Sequence, residues 1–269
     1  MSAWRLGVLA LAFVTGPLAA QFPAPPPEQL KGTPVTPARL PDGRPNWNGF
    51  WVTPNGLLEI YRGPSGITGQ GPGANRPSRR QDIPALKSPY KERYEEAVAK
   101  AAAGELPDPV AACFPPGMPR MMGMVYGMEI LQTPKIISIT SEWQAATRRV
   151  WMDLEDHPQE DELDLTYAGH SIGRWEGDTL VVETVGIRDD VPLDFTHLPH
   201  SPKLKVTERF TQISPGVLVN DITIDDPDLF EQAWKYKLVY LHKPNLRLME
   251  YVCLENNRNV DADGRTTFE

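Results

Sequence analysis

From Met128 to Leu254 the chain is built of short runs in which apolar and polar residues alternate. The runs are Met128–Thr133, Lys135–Ser141, Thr147–Asp153, Thr179–Val185, Leu204–Gln212, Val217–Ile224, Trp234–Leu241 and Leu246–Leu254. A period of two marks a strand with one buried and one solvated face. Turn residues separate the runs: Pro134, Gly177-Asp178, Ser214-Pro215-Gly216, Asp226-Pro227 and Pro244-Asn245. Mostly short links, with no helical pattern long enough for a parallel crossover, predict an antiparallel meander. The expected fold is mainly β, a lipocalin-like up-and-down barrel of about eight strands over residues 128–258. A two-sheet sandwich is the alternative. Closing the sheet removes its edges, and about eight strands enclose room for one small ligand.

The alternation also assigns faces. In Leu204–Gln212, Leu204, Val206 and Phe210 share one face, and Glu208 falls on it, while Lys205, Thr207, Arg209 and Thr211 fall on the other. Glu208 is therefore expected to point inward. In Trp234–Leu241 the inward set is Trp234, Tyr236, Leu238 and Tyr240. With Phe210 and Tyr167, the residues Trp234, Tyr236 and Tyr240 form an expected aromatic wall for a substrate. A carboxylate buried without a partner costs several kcal/mol. Glu208 should therefore be functional, or paired with an arginine such as Arg149, unless the strand is inverted.

Ahead of the strands the pattern changes. Residues 21–46 are proline-rich with almost no apolar periodicity, and predict an extended arm. Residues 47–127 read as a docking segment. It opens on Trp47, Phe50 and Trp51, passes through a Gly/Pro/Arg-rich loop from Arg62 to about Pro84, and contains one amphipathic helix over 89–103. Tyr90, Tyr94, Ala97, Val98 and Ala101 recur at helical spacing, with Ser88 as the expected N-cap and Gly104 as the stop. Residues 259–269 read as a tail.

The first twenty residues have the proportions of a secretory signal peptide. Arg5 is the charged start, Leu6–Val14 the apolar stretch, and Gly16–Ala20 the small-residue cleavage region, with cleavage expected near Ala20. No apolar run is long enough to span a bilayer as a helix, so no stable membrane insertion is expected. The formal charge is −8, and loss of Arg5 would make it one unit more negative. That balance argues against nucleic acid or an anionic membrane as partner. Cys113 and Cys253 are the two cysteines. In an oxidising compartment a single disulfide is the natural reading, with two buried free thiols as the alternative. The protein is expected in the periplasm or secreted.

Candidate chemistry centres on Gly169–Gly186. Gly169-His170-Ser171-Ile172-Gly173 matches the Gly-x-Ser-x-Gly pattern of serine esterases. That motif works only as a strained strand-to-helix turn, and here a strand pattern follows, so the esterase reading is weak. On paper Asp189 or Asp194 and His197 or His200 would complete its triad. Gly169 and Gly173 then read as turn residues, leading through Trp175 into a strand.

His157, His170, His197 and His200 are all expected in loops or at strand ends, where they would converge at one barrel mouth. Two roles fit. One is acid–base work, with His170 moving a proton, Glu208 as its partner, and His200 and His157 secondary. The other is a metal held by imidazoles and a carboxylate, although no metal-binding spacing is present and no cofactor is required. The acidic run Asp153–Asp164 reads as a solvated face, and Met118, Met121, Met122, Met124 and Met128 as apolar packing or a ligand wall.

Taken together, several motifs resemble a large, mostly uncharacterised family of exported bacterial proteins. They are Cys113–Arg120, Arg148–Asp153 with His157-Pro158, Gly169–Val182 (GHSIGRWEGDTLVV), Pro199–Ser201, Glu208-Arg209-Phe210 and Glu250–Cys253. The resemblance spans about residues 47–257. It implies that His157, His170, His200, Glu208 and both cysteines belong to one design, and it implies no activity. His197 and the methionine cluster lie outside the shared pattern.

The leading expectation is an extracytoplasmic enzyme of isomerase, lyase or cyclase type. It would use His/Glu acid–base chemistry on a small, largely apolar molecule in a barrel pocket. The alternatives are a non-catalytic carrier or sensor of a small hydrophobic ligand, and a metal-dependent enzyme.

Overall fold

The structure is a computed structural model. It describes residues 36–53 and 83–256, together with the backbone of two short strands at 60–62 and 66–68. The expected signal peptide, most of the arm and the tail lie outside the described residues.

Seven of the eight predicted runs are strands, and four further strands are added. In chain order they are β1 (Gly49–Val52), β2 (Ile60–Arg62), β3 (Gly66–Thr68), β4 (Met128–Gln132), β5 (Ile136–Ser141), β6 (Thr147–Trp151), β7 (His170–Glu176), β8 (Thr179–Val185), β9 (Lys205–Ser214), β10 (Val217–Asp225) and β11 (Trp234–His242). Neighbours pair in the order β1-β4-β5-β6-β7-β8-β9-β10-β11, and β1 also pairs with β11, through Trp51↔His242 and Val52↔Leu241. The sheet therefore closes on itself as a barrel of nine strands. The short β2–β3 hairpin pairs with β11 through Tyr61↔Lys237.

The mainly β barrel is as expected, with three differences of detail. First, Leu246–Leu254 is not a strand. The closing position beside β11 is taken by β1, so the Trp47–Val52 segment is a stave of the wall rather than a docking piece. Residues 246–252 run outside the wall instead, and Cys253 starts a short helical turn, Cys253–Asn256. Second, His170–Glu176 is itself a strand, although its glycine and charged residues hide the alternation. Third, the pairing is not wholly antiparallel, since β6 and β7 run parallel through Val150↔Ser171 and Trp151↔Ile172. Parallel neighbours need a long return connection, and the acidic stretch between Trp151 and His170 supplies it. Its acidic residues are all exposed, as those of a solvated face should be.

Inward residues form one core. Ile137, Ile139, Val150, Leu180, Val182, Val206, Phe210, Leu218, Ile222, Trp234, Leu238 and Tyr240 belong to it. Met118, Met121, Met122 and Met128 join them, with a 3-10 turn over Arg120–Gly123 folded against the barrel. The methionines are packing. The one long helix, α1 (Tyr90–Ala102), lies outside, with Tyr90 and Tyr94 against the core and the Tyr94 hydroxyl 2.9 Å from Thr196 Oγ1. Pro89, rather than Ser88, occupies its N-cap position, and the Ser88 hydroxyl instead donates to Glu92 at 2.6 Å.

Cys113 and Cys253 form a disulfide with a Cα–Cα distance of 5.6 Å and a sequence separation of 140 residues. It fastens the segment after β11 to the segment before β4. Constraining so long a loop in the unfolded chain should stabilise the fold by roughly 2–5 kcal/mol. Urea unfolding with and without a reductant tests this. The reduced protein should lose stability within that range, and a loss below about 0.5 kcal/mol would contradict it.

Candidate functional site

Two groups of chemically capable side chains share the strands β7, β8 and β9, on opposite sides of the wall. Alternation puts Ser171, Thr184 and Glu208 inside, and His170, Glu183 and Lys205 outside.

Inside, six successive strands β6–β11 each contribute one polar group to a continuous belt: Arg148, Ser171, Thr184, Glu208, Asn220 and Tyr240. Arg148 and Glu208 are 0 % exposed, with Arg148 Nη2 2.5 Å from Glu208 Oε2. Arg148 Nε donates to Ser171 Oγ at 3.0 Å, and Nη2 donates to Thr184 Oγ1 at 2.7 Å. Ser171 and Thr184 share a hydrogen bond of 2.8 Å. Asn220 Nδ2 donates to Glu208 Oε1 at 2.8 Å. The Tyr240 hydroxyl donates to the Met122 carbonyl at 3.0 Å and lies beside Asn220 and Glu208. Burial first, and then the Glu208 charge, hold Tyr240 well above its ordinary pKa despite the Asn220 contact, so it stays neutral.

This belt disposes of two sequence alternatives. Glu208 does point inward, but its arginine is Arg148 rather than Arg149, which is exposed on the other face. Ser171 is a buried strand residue bonded to Arg148, not a serine on a sharp turn. Gly169, at φ +67°, does make a turn, whereas Gly173 lies inside β7. A Cβ on Gly173 would stand 2.7 Å from both Met152 Sδ and Val150 Cγ1, so glycine is required there by packing, not by a bend.

Outside, His157 from the acidic loop meets His170 at the start of β7, with the two Nδ1 atoms 2.9 Å apart. The rings cross edge to face, with centroids 5.1 Å apart. Glu183 lies on the same face of β8, with its Oε1 3.6 Å from His157 Nε2. Lys205 Nζ is 3.6 Å from the other Glu183 oxygen. Burial lowers the pKa of both imidazoles, and for His157 the neighbouring His170 lowers it further, against the opposing pull of Glu183. Both rings are therefore held toward the neutral form, and the contact is a hydrogen bond in which one Nδ1 carries its hydrogen and the other accepts it.

The remaining expected residues do not gather there. His170 and Glu208 stand on opposite sides of the wall, so the expected His170–Glu208 partnership is not formed. The reason is parity: β7 starts at His170, and Ser171 takes the inward place. His200 is buried, its Nδ1 donating to the Ser201 carbonyl at 2.9 Å, within a loop fixed by Ser201 and Asp226. Trp234, Tyr236, Tyr240 and Phe210 all point inward as expected and are packed in the core. Tyr167 is separate, its ring under the Arg188 guanidinium at 4.9 Å.

Glu183 was not singled out from the sequence. Its outward position follows from the alternation of Thr179–Val185, but its relevance depends on His170 being the paired neighbour strand. Among the described residues, no three His, Cys, Asp or Glu side chains are arranged to hold one metal ion. No helix among them is long and apolar enough to cross a membrane. No protein-family model matches the chain, and no curated protein is significantly similar to it.

The belt makes a stability prediction. Glu208→Gln leaves the Arg148 charge buried and unpaired, which should destabilise by about 3–5 kcal/mol in chemical denaturation. Arg148→Met combined with Glu208→Met should be less damaging than Glu208→Gln alone. A double variant as unstable as the sum of its singles would show that the two residues do not act as a pair.

Proposed function

We propose that the protein is an extracytoplasmic enzyme of proton-transfer type, an isomerase, lyase or cyclase, acting on a small, largely apolar molecule. In this reading the working group is His170 on the outer wall, not an interior His–Glu pair. The disulfide supports an oxidising location.

The observation that carries the reading is the His157–His170 contact. The contact supports a relay. Glu183 attracts the proton of His157 to Nε2, which leaves His157 Nδ1 as an acceptor. His170 Nδ1–H then donates to it, and His170 Nε2 keeps a free lone pair. That nitrogen can remove a proton from a substrate. The charge formed on His170 is shared with His157 and faced by Glu183, while Lys205 limits how strongly Glu183 pulls. A neutral base with a lowered pKa is ready to accept a proton near pH 7, and such a group typically contributes about 10²–10⁴-fold.

Incubation in D2O with a panel of small apolar ketones and enones, read by mass spectrometry, tests this. Deuterium should enter at a carbon next to the carbonyl of at least one compound, and His170→Ala should slow that exchange about 100-fold. Exchange at the wild-type rate in His170→Ala, or none above buffer with any compound, would overturn the reading.

A further inference from the structure

Outside the barrel, and independent of the histidine pair, the disulfide forms one wall of a cleft of about 290 Å³. Cys113, Gln144, Ala145, Glu250, Tyr251 and Leu254 line it. The volume is close to the lower end of the range for small-molecule sites. Three observations set it apart from a surface irregularity.

The first is backbone strain. Among the described residues, four non-glycine residues have positive φ, and three of them line this cleft: Cys113 at 65°, Gln144 at 53° and Ala145 at 49°. A side chain in this left-handed region is strained, and such a residue persists only where the surroundings fix it. The second is a rigid aromatic support. Tyr126, Trp143 and Tyr251 form a closed trio with centroid separations of 4.9, 5.0 and 5.3 Å, and the two tyrosine hydroxyls are hydrogen-bonded. Gln144 Nε2 donates to the Cys113 carbonyl at 2.5 Å and ties the two strained stretches together. The third is the rim. Leu254, which lines the cleft, is 77% exposed, and Met249 and Phe114, each next in the chain to a lining residue, are exposed as well.

The charge at the cleft has one sign. Glu250 is the single charged side chain in the lining, and it has no ion-pair partner among the described residues. Tyr251 adds the negative face of its ring. A carboxylate and an aromatic face beside apolar walls repel anions and favour a positive group. We propose that this cleft binds a small organic cation with a flat apolar body, of the aryl-alkyl ammonium class. The body would stand against Tyr251 and Leu254, and the ammonium toward Glu250.

The test uses the full disulfide-bonded protein and three probes of similar shape: phenethylammonium, neutral 2-phenylethanol and anionic 3-phenylpropionate. The indole N–H resonance of Trp143, in the wall behind Tyr251, is followed by NMR. Phenethylammonium should shift it saturably, binding about threefold to tenfold tighter than 3-phenylpropionate. Glu250→Gln should weaken the cation about threefold and leave 2-phenylethanol unchanged. Leu254→Lys, at a rim position that is 77% exposed, should weaken the cation as well. Absence of a saturable shift with any probe, equal affinity for all three charges, or indifference to both substitutions would each overturn the proposal.

Discussion

A guanidinium and a carboxylate completely removed from water must satisfy each other, and the interior of this barrel is arranged so that they do. Bringing either charge into the core alone would cost several kcal/mol. Arg148 and Glu208 meet at 2.5 Å with Ser171, Thr184 and Asn220 completing much of their hydrogen bonding. The partners come from five consecutive strands. The belt therefore fixes register: slipping any one strand by a residue turns its polar member to the outer face and strands the rest. This is a physical reason for a polar belt in a lumen otherwise filled by Ile, Leu, Val, Phe and Trp.

The same parity decides where chemistry can occur. With Ser171 committed inward, His170 must face outward, and with Thr184 inward, Glu183 must too. The outer group of His157, His170, Glu183 and Lys205 is a consequence of the inner belt. The long acidic connection has two effects at once. It lets β7 run parallel to β6, and it carries His157 back across the wall to meet His170. In the proposed reading the barrel is a scaffold, with the working nitrogen on its outer surface.

Much of the fold was legible in the sequence because period-two alternation is strong wherever one face is packed. Glu208, Phe210, Trp234, Tyr236 and Tyr240 face the interior as their strands' patterns require. The failures have specific causes. His170–Glu176 carries a glycine demanded by Met152 and Val150, and charged residues at its solvated end, so its alternation is broken. Leu246–Leu254 alternates well but has no free sheet edge, since β1 closes the barrel. Cys253 and Tyr251 instead hold that segment against Cys113 and Trp143. Arg148 was displaced in favour of Arg149 by one residue, although Val150 already fixed the parity. The candidate site was legible only in part. His157 and His170 were singled out, but which of them meet, and on which side of the wall, depends on a strand pairing that local pattern does not encode.

The most direct test of this account is ¹⁵N NMR of the histidine rings as a function of pH. The relay predicts a protonated Nδ1 on His170, a bare Nδ1 on His157, a measurable coupling across the hydrogen bond between them, and titration of both rings below the ordinary imidazole value of about 6.5. Two rings that titrate independently near that value, with no coupling between them, would contradict it.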